Sequence, residues 1–138
     1  CAGEIVSQAQ FTLAASEREI FEAQLLLKDG NLKKASRIAY DSMLHAAQGL
    51  IRTQNGDLEE DEERILTEFR RRFYDTELFH DKYAGSKFAD FLFKAKESLP
   101  GNGRPGWEEA RQRIEEAQLF IEAAHSCYGR LNSAATAL

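Results

Sequence analysis

Two Glu-x-x-His pairs are the residues best suited to metal chemistry: Glu77 with His80, and Glu122 with His125. A carboxylate and an imidazole three residues apart on a helix can share a metal ion, and two such pairs build di-metal sites in helical bundles. The helical period places Glu122 toward solvent, and Glu77 and His80 fall where a helix ends. We therefore expect four surface residues and no bound metal or cofactor, with a di-metal oxidase as an alternative.

A second candidate site combines Tyr40, Asp41 and His45, which lie on adjacent faces of one predicted helix. A single histidine inside an apolar helix is usually a hydrogen-bonded core residue, but with Tyr40 and Asp41 it could line a cleft for a ligand. No Ser-His-Asp or Cys-His arrangement is supported by the spacing. The pattern predicts three ligand-binding residues and no catalytic residue.

Arg64 and the three consecutive arginines Arg70, Arg71 and Arg72 form the third candidate site. Guanidinium groups bind phosphate oxygens in a bidentate manner, so such a cluster could bind the phosphate of a nucleotide or of RNA. The alternative is a solvated face on which the arginines pair with nearby glutamates such as Glu68.

The composition of the chain argues against several classes of protein. The chain has 138 residues and a net charge of −5, which fits one domain over 1–138 and argues against bulk nucleic-acid binding. No apolar run is long enough for a membrane span, and we expect a cytoplasmic protein. Cys1 and Cys127 form no CxxC motif, and a chain that begins with Cys suggests excision from a longer protein.

The periodic spacing of the apolar residues predicts that the candidate site residues are carried by helices. The pattern predicts an all-α antiparallel bundle of about five helices. The predicted helices are 4–28, 32–54, 58–75, 87–98 and 107–132.

The helices differ in how their apolar residues are arranged. In the first, one apolar seam runs from Ala9 to Leu27, and Phe11, Phe21 and Leu25 are expected to widen it. The second is apolar around most of its circumference and is expected to be central. Its small-residue stripe admits close helix contact, and its surplus apolar surface suits self-association. That stripe consists of Ala39, Ser42, Ala46 and Gly49. The last helix shows an unbroken three-four seam from Trp107 to Leu131.

The first two helices share a pattern of small and apolar positions, which consists of Ala23, Leu26, Leu27, Gly30 and Ala35, followed by the continuous stretch 39–51. In this pattern they resemble the HEPN family of small helical domains. The order of the later helices fits the same family. The resemblance implies a helical bundle that either cleaves RNA or serves as a dimerising or nucleotide-binding accessory domain.

The RNase motif of the family is absent. Catalytic members carry an Arg followed a few residues later by a His near the last helix, whereas Arg104 and Arg111 lie far from His125. Arg72 and His80 leave seven intervening residues and lie in the wrong element. The resemblance therefore implies a non-catalytic accessory module that forms a homodimer or contacts the rest of a parent protein, such as a nitrite/sulfite reductase with a HEPN-like tail. A degenerate ribonuclease is the alternative.

Overall fold

The computed structural model describes residues 2–54, 61–79, 85–98 and 106–136 of the chain. Within them the chain forms five α-helices and one π-helical turn, so the predicted all-α bundle is confirmed. The helices are α1 (Ala2–Lys28), α2 (Leu32–Arg52), α3 (Glu62–Phe69), α4 (Lys87–Ser98) and α5 (Trp107–Thr136), and the π-helical turn (Arg70–Tyr74) follows α3. No helix in these ranges combines the length and the apolar character that a membrane span requires.

A three-residue turn joins α1 to α2 and reverses the chain. Gly30 adopts a φ of 83°, the left-handed conformation that glycine tolerates without a steric penalty. The Asn31 amide donates to the Leu26 carbonyl (2.9 Å) and the Gly30 amide to the Leu27 carbonyl (3.1 Å), the paired bonds of a Schellman motif. The turn therefore places α1 and α2 side by side in opposite directions.

The central helix of the bundle is α2, as its wide apolar pattern predicts. It packs against α1, α3, α4 and α5. Its small-residue stripe is buried: Ala39, Ser42 and Ala46 are 0% exposed, and Gly49 is buried beside them. Small side chains let neighbouring backbones approach closely, and so α2 can contact four helices at once.

The third predicted helix, 58–75, is interrupted. The α-helix ends at Phe69, and the Asp75 amide then donates to the Arg70 carbonyl (2.8 Å), the wider hydrogen bond of a π-turn. Beyond it, the Phe79 amide donates to the Phe73 carbonyl (3.0 Å), which returns the chain toward the core. Residues 58–60 of the predicted helix lie outside the described residues.

An aromatic cluster lies where α3, the turn after it and α5 meet. The ring of Phe79 is 5.2 Å from Phe69 and 4.9 Å from Phe120, centroid to centroid. Edge-to-face and offset contacts at such distances are favourable beyond the area that they bury. The cluster therefore holds the end of the π-helical turn, which carries the three arginines, against the core.

The last helix, α5, packs antiparallel to α1 along its predicted seam. The interior of that seam is buried, whereas at its ends Trp107 is 49% exposed and Leu131 is half-buried. The buried positions are Ala110, Ile114, Ala117, Ile121, Ala124 and Tyr128. The alternating spacing of three and four thus predicts the buried face of α5 correctly, except at its N-terminal end, where it includes the exposed Trp107.

Candidate functional site

Tyr40 is part of a polar network that also contains Glu62 and Lys96. The Tyr40 ring is 0% exposed, and its hydroxyl donates to Glu62 Oε1 at 2.7 Å. Lys96 Nζ donates to the same oxygen at 2.6 Å. The three residues belong to α2, α3 and α4, so the network ties three helices together.

The network shifts the ionisation of its members in the direction that keeps Glu62 charged. Hydrogen bonds from Lys96 and Tyr40 hold the pKa of the Glu62 carboxyl below its ordinary value. The hydrogen bond to Glu62 raises the pKa of the Lys96 ammonium, and burial raises the pKa of the Tyr40 phenol. Tyr40 therefore acts as a neutral hydrogen-bond donor, as a phenol that joins helices would.

Asp41 and His45 point to different partners from Tyr40. His45 Nδ1 lies 2.7 Å from Glu19 Oε1 on α1, and Asp41 Oδ1 lies 3.4 Å from Arg37 Nε on its own helix. Burial, more than any neighbouring charge, raises the pKa of the Asp41 carboxyl. The predicted trio therefore shares one helix, but its members make separate contacts with α1, α2 and α3.

The three arginines separate into two environments. Arg71 and Arg72 both bind Glu68, at 2.9 Å and 2.6 Å, and these bonds hold the pKa of the Glu68 carboxyl below its ordinary value. Arg70 instead places its guanidinium 4.1 Å from the centroid of the Phe93 ring. The alternative of an internally paired arginine face thus describes Arg71 and Arg72, whereas Arg70 makes a cation–π contact.

A groove of about 480 Å³ runs between α3, the π-helical turn and α4. Leu66 and Phe93 supply its apolar surface, and Arg70, Arg71 and Lys96 its cations. Asp75 and Glu97 line it as well, so its charge is mixed. Of the four predicted phosphate-binding arginines, Arg70 and Arg71 line this groove.

The two Glu-x-x-His pairs do not form a shared site in the described residues. Glu122 is exposed, as predicted, whereas the partly exposed His125 has its Nε2 atom 2.8 Å from Glu17 Oε1 on α1. Glu77 is exposed in a left-handed conformation with a φ of 59°, and His80 lies outside the described residues. Among the residues that are described, no group of three or more His, Cys, Asp or Glu side chains is arranged to hold a metal ion.

The outer face of α1 is the surface that sequence reasoning missed. Phe11, Phe21 and Leu25 are 70%, 63% and 50% exposed, so the prediction that they widen the buried seam is wrong. With three further exposed residues they form what we call the outer stripe, whose spacing alternates between three and four. The outer stripe consists of Phe11, Ala14, Arg18, Phe21, Leu25 and Lys28.

A second stripe with the same alternation faces the bundle. We call it the inner stripe: Leu13, Ser16, Ile20, Ala23 and Leu27. Its first four residues are buried and Leu27 is half-buried, which confirms the predicted seam at these positions. Each stripe is shifted by two residues from the other, about 200° around the helix. Hence α1 carries two apolar faces, and the bundle covers one of them.

The expected surplus apolar surface of α2 is not available for a partner. The buried part of α2 includes the small-residue stripe at Ala39, Ser42 and Ala46, and most of the residues that follow lie inside the bundle as well. The expectation of a surplus apolar surface on this helix is therefore wrong, and the three most exposed large apolar side chains of the described residues are on α1. The sequence of α1 contains the outer stripe as a second set of residues with alternating spacings of three and four. This set can be mistaken for a widening of the inner stripe.

The chain matches no known family model and shows no significant similarity to a curated protein. Its function is therefore inferred from the geometry of the described residues.

Proposed function

We propose that this domain is a non-catalytic assembly module, resembling the accessory members of the HEPN family, that self-associates through the outer stripe of α1. One observation carries the proposal: three large apolar side chains, at 70%, 63% and 50% exposure, repeat along one face of a helix. Single exposed apolar residues are common on protein surfaces, whereas several large ones on one helix face, here flanked by the cations Arg18 and Lys28, are typical of an interaction surface.

The contacts of the other candidate residues support this proposal. Tyr40, His45, Arg71 and Arg72 each contact a carboxylate of the same chain. The contacts of Tyr40 and His45 join two helices, whereas the arginine pairs lie within one helical segment. None of these contacts brings a nucleophile and a base together. We therefore assign these residues to the internal scaffold, and propose that the domain serves a larger cytoplasmic protein, such as a nitrite/sulfite reductase, by association.

The proposal predicts that Phe21→Gln shifts the chain from dimer toward monomer. Each copy would lose a large apolar side chain, worth about 1.5–3 kcal/mol when fully buried, so the dimer dissociation constant should rise at least about tenfold. Sedimentation equilibrium over a range of protein concentrations measures this constant directly.

Trp107→Gln is the matched control, because Trp107 is a large exposed aromatic residue at the start of α5, on another helix. It should leave the dissociation constant unchanged. A wild-type chain that stays monomeric at the highest concentration would refute the proposal. Equal weakening by both variants would show that the outer stripe has no special role.

A second candidate function is binding of a phosphate-bearing ligand, such as a nucleotide, in the groove between α3 and α4. The position of Arg70 favours it: stacking on Phe93 orients the guanidinium at the groove while leaving its donors without a carboxylate partner in the described residues. Titration calorimetry with ATP tests it. Binding that is lost in Arg70→Ala and retained in Arg64→Ala, an exposed residue of the same helix region, would support this site.

A further inference from the structure

The outer stripe has a pattern of side-chain sizes and charges that favours one orientation of a partner. Its large apolar residues are Phe11, Phe21 and Leu25, its small residue is Ala14, and its cations are Arg18 and Lys28. The alternating spacing makes Phe11, Arg18 and Leu25 one set of heptad positions and Ala14, Phe21 and Lys28 the other. A second copy can pair with this surface in parallel or in antiparallel orientation.

We propose that two copies pair antiparallel through α1, with a two-fold axis passing between positions 19 and 20. This inference rests on the proposed function and adds the orientation and register of the partner. In this register each residue of one heptad set lies opposite a residue of the other set. Arg18 faces Phe21 of the second copy, Ala14 faces Leu25, and Phe11 faces Lys28.

Each of these three facing pairs is favourable. The Arg18 guanidinium can stack on the Phe21 ring, as it already approaches the Phe11 ring of its own chain at 5.9 Å. The small Ala14 leaves room for the larger Leu25, so the two helices can approach evenly. The Lys28 stem can lie along Phe11 while its ammonium group remains in water. Two-fold symmetry repeats each pair, as closed dimers require.

The parallel orientation places like groups together. Arg18 would face Arg18, Lys28 would face Lys28, and Ala14 would face Ala14. Two of the six layers would then repel and a third would leave a gap, while the other three would be apolar. The flanking positions add a further repulsion, because Glu17 of one copy would lie beside Glu22 of the other. Both glutamates are exposed on the two sides of the outer stripe.

In the antiparallel orientation the flanking residues are compatible. Glu17 lies beside Gln24 of the second copy, and Ala15 lies beside Glu22, so no like-charged pair is formed. An interface that repels the wrong orientation specifies the correct one more strongly than attraction alone. The charges on α1 therefore select the antiparallel arrangement.

Disulfide cross-linking between two single-cysteine variants tests the orientation. Ala14→Cys and Leu25→Cys are each made in a Cys1→Ser background, in which Cys127 is 1% exposed and not accessible for coupling. The two proteins are oxidised separately and as an equimolar mixture, and covalent dimer is measured on a non-reducing gel. Both substituted residues are exposed in the monomer, so neither change should prevent folding.

The expected result is covalent dimer in the mixture and none in either variant alone. In the antiparallel register the two positions 14 are eleven residues apart along the axis, about 16 Å, whereas a disulfide needs Cα atoms within about 7 Å. Covalent dimer in each separate sample would show parallel pairing and overturn the inference. Covalent dimer in no sample, from chains that sediment as dimers, would overturn the register.

Sedimentation of the unsubstituted chain distinguishes a failure of this inference from a failure of the proposed function. A dimer whose cross-links are only between identical positions retains the assembly function and refutes the antiparallel orientation. A chain that is monomeric at all concentrations refutes both.

Discussion

Two neighbouring helices, α1 and α2, contain similar proportions of apolar residues but use them differently. Four helices surround α2, and the C-terminal half of α2 is buried on nearly all sides. The main contacts of α1 are with α2 and α5, and these cover only its inner stripe. The comparison teaches that the number of neighbours around a helix, and not its apolar content, decides whether an apolar face remains available to a partner.

Side-chain size follows the same division. The fully buried stripe of α2 is built from Ala39, Ser42 and Ala46, whereas the outer stripe of α1 presents Phe11 and Phe21. Small residues allow close contact within a crowded core, and large aromatic residues supply area and anchoring at an interface. The sizes therefore agree with an internal role for α2 and an external role for α1.

The largest expected effect comes from placing the same charge on each helix. Ala46→Arg puts a guanidinium where the exposure is 0%, so the variant should lose about 4 kcal/mol or more of unfolding free energy, or fail to fold. Ala14→Arg, on the exposed face of α1, should stay within about 0.5 kcal/mol of the wild type.

Urea denaturation at a concentration where the chain is monomeric measures both variants. Sedimentation then shows whether Ala14→Arg weakens association while folding is intact, which would assign association to the exposed face of α1. Equal stability of the two variants would contradict the comparison of α1 with α2, because α2 could not then be the buried helix.

A smaller effect is expected from the hydroxyl through which α2 contacts α3. Tyr40→Phe removes the donor at 2.7 Å from Glu62, and the loss of a hydrogen bond to a charged group should cost about 2 kcal/mol of unfolding free energy. Tyr74→Phe is the control, since its hydroxyl has no hydrogen bond among the described residues, and it should change stability by less than about 0.5 kcal/mol. A neutral Tyr40→Phe would mean that the network does not help to hold α3 on α2.

The smallest effect is the pH dependence of the same network. Because the folded pKa of Glu62 is depressed, the stabilisation is present above the unfolded value of about 4.3 and is lost as the pH falls through the folded pKa. Lys96→Met removes the largest cause of that shift. The pair is partly exposed, so the variant should lose less than about 1 kcal/mol at pH 7.

The difference between Lys96→Met and the wild type should shrink toward zero below the folded pKa of Glu62. Urea denaturation at several pH values between 7 and 2 follows it, with Lys94→Met, an exposed lysine of the same helix, as the control. A difference that is independent of pH would assign the effect of Lys96 to packing instead of charge.

Much of the fold could be predicted from the sequence, because helix periodicity and turn chemistry are local. Gly30 ends α1 where a left-handed residue was needed, and α4 has its predicted bounds, Lys87 to Ser98. The π-helical turn at Arg70 was not predictable in this way, since it depends on how Phe73 and Phe79 reach the aromatic cluster. Long-range packing decides such a change of helical pitch.

The candidate sites were predictable as residue types but not as contacts. Tyr40, Asp41 and His45 were recognised as polar residues on a buried helix, yet their partners Glu62, Arg37 and Glu19 lie on three different elements. The Arg cluster was recognised as well, but only the structure separates Arg70, on Phe93, from the arginines that bind Glu68.

By itself the sequence determined which segments become helices and which stripe of each helix is apolar, because both follow from spacing within a few turns. Only the tertiary structure decided which apolar stripe stays exposed, because that depends on how many helices surround each one. The inner and outer stripes of α1 share one spacing, and they differ only in that α2 and α5 cover the first.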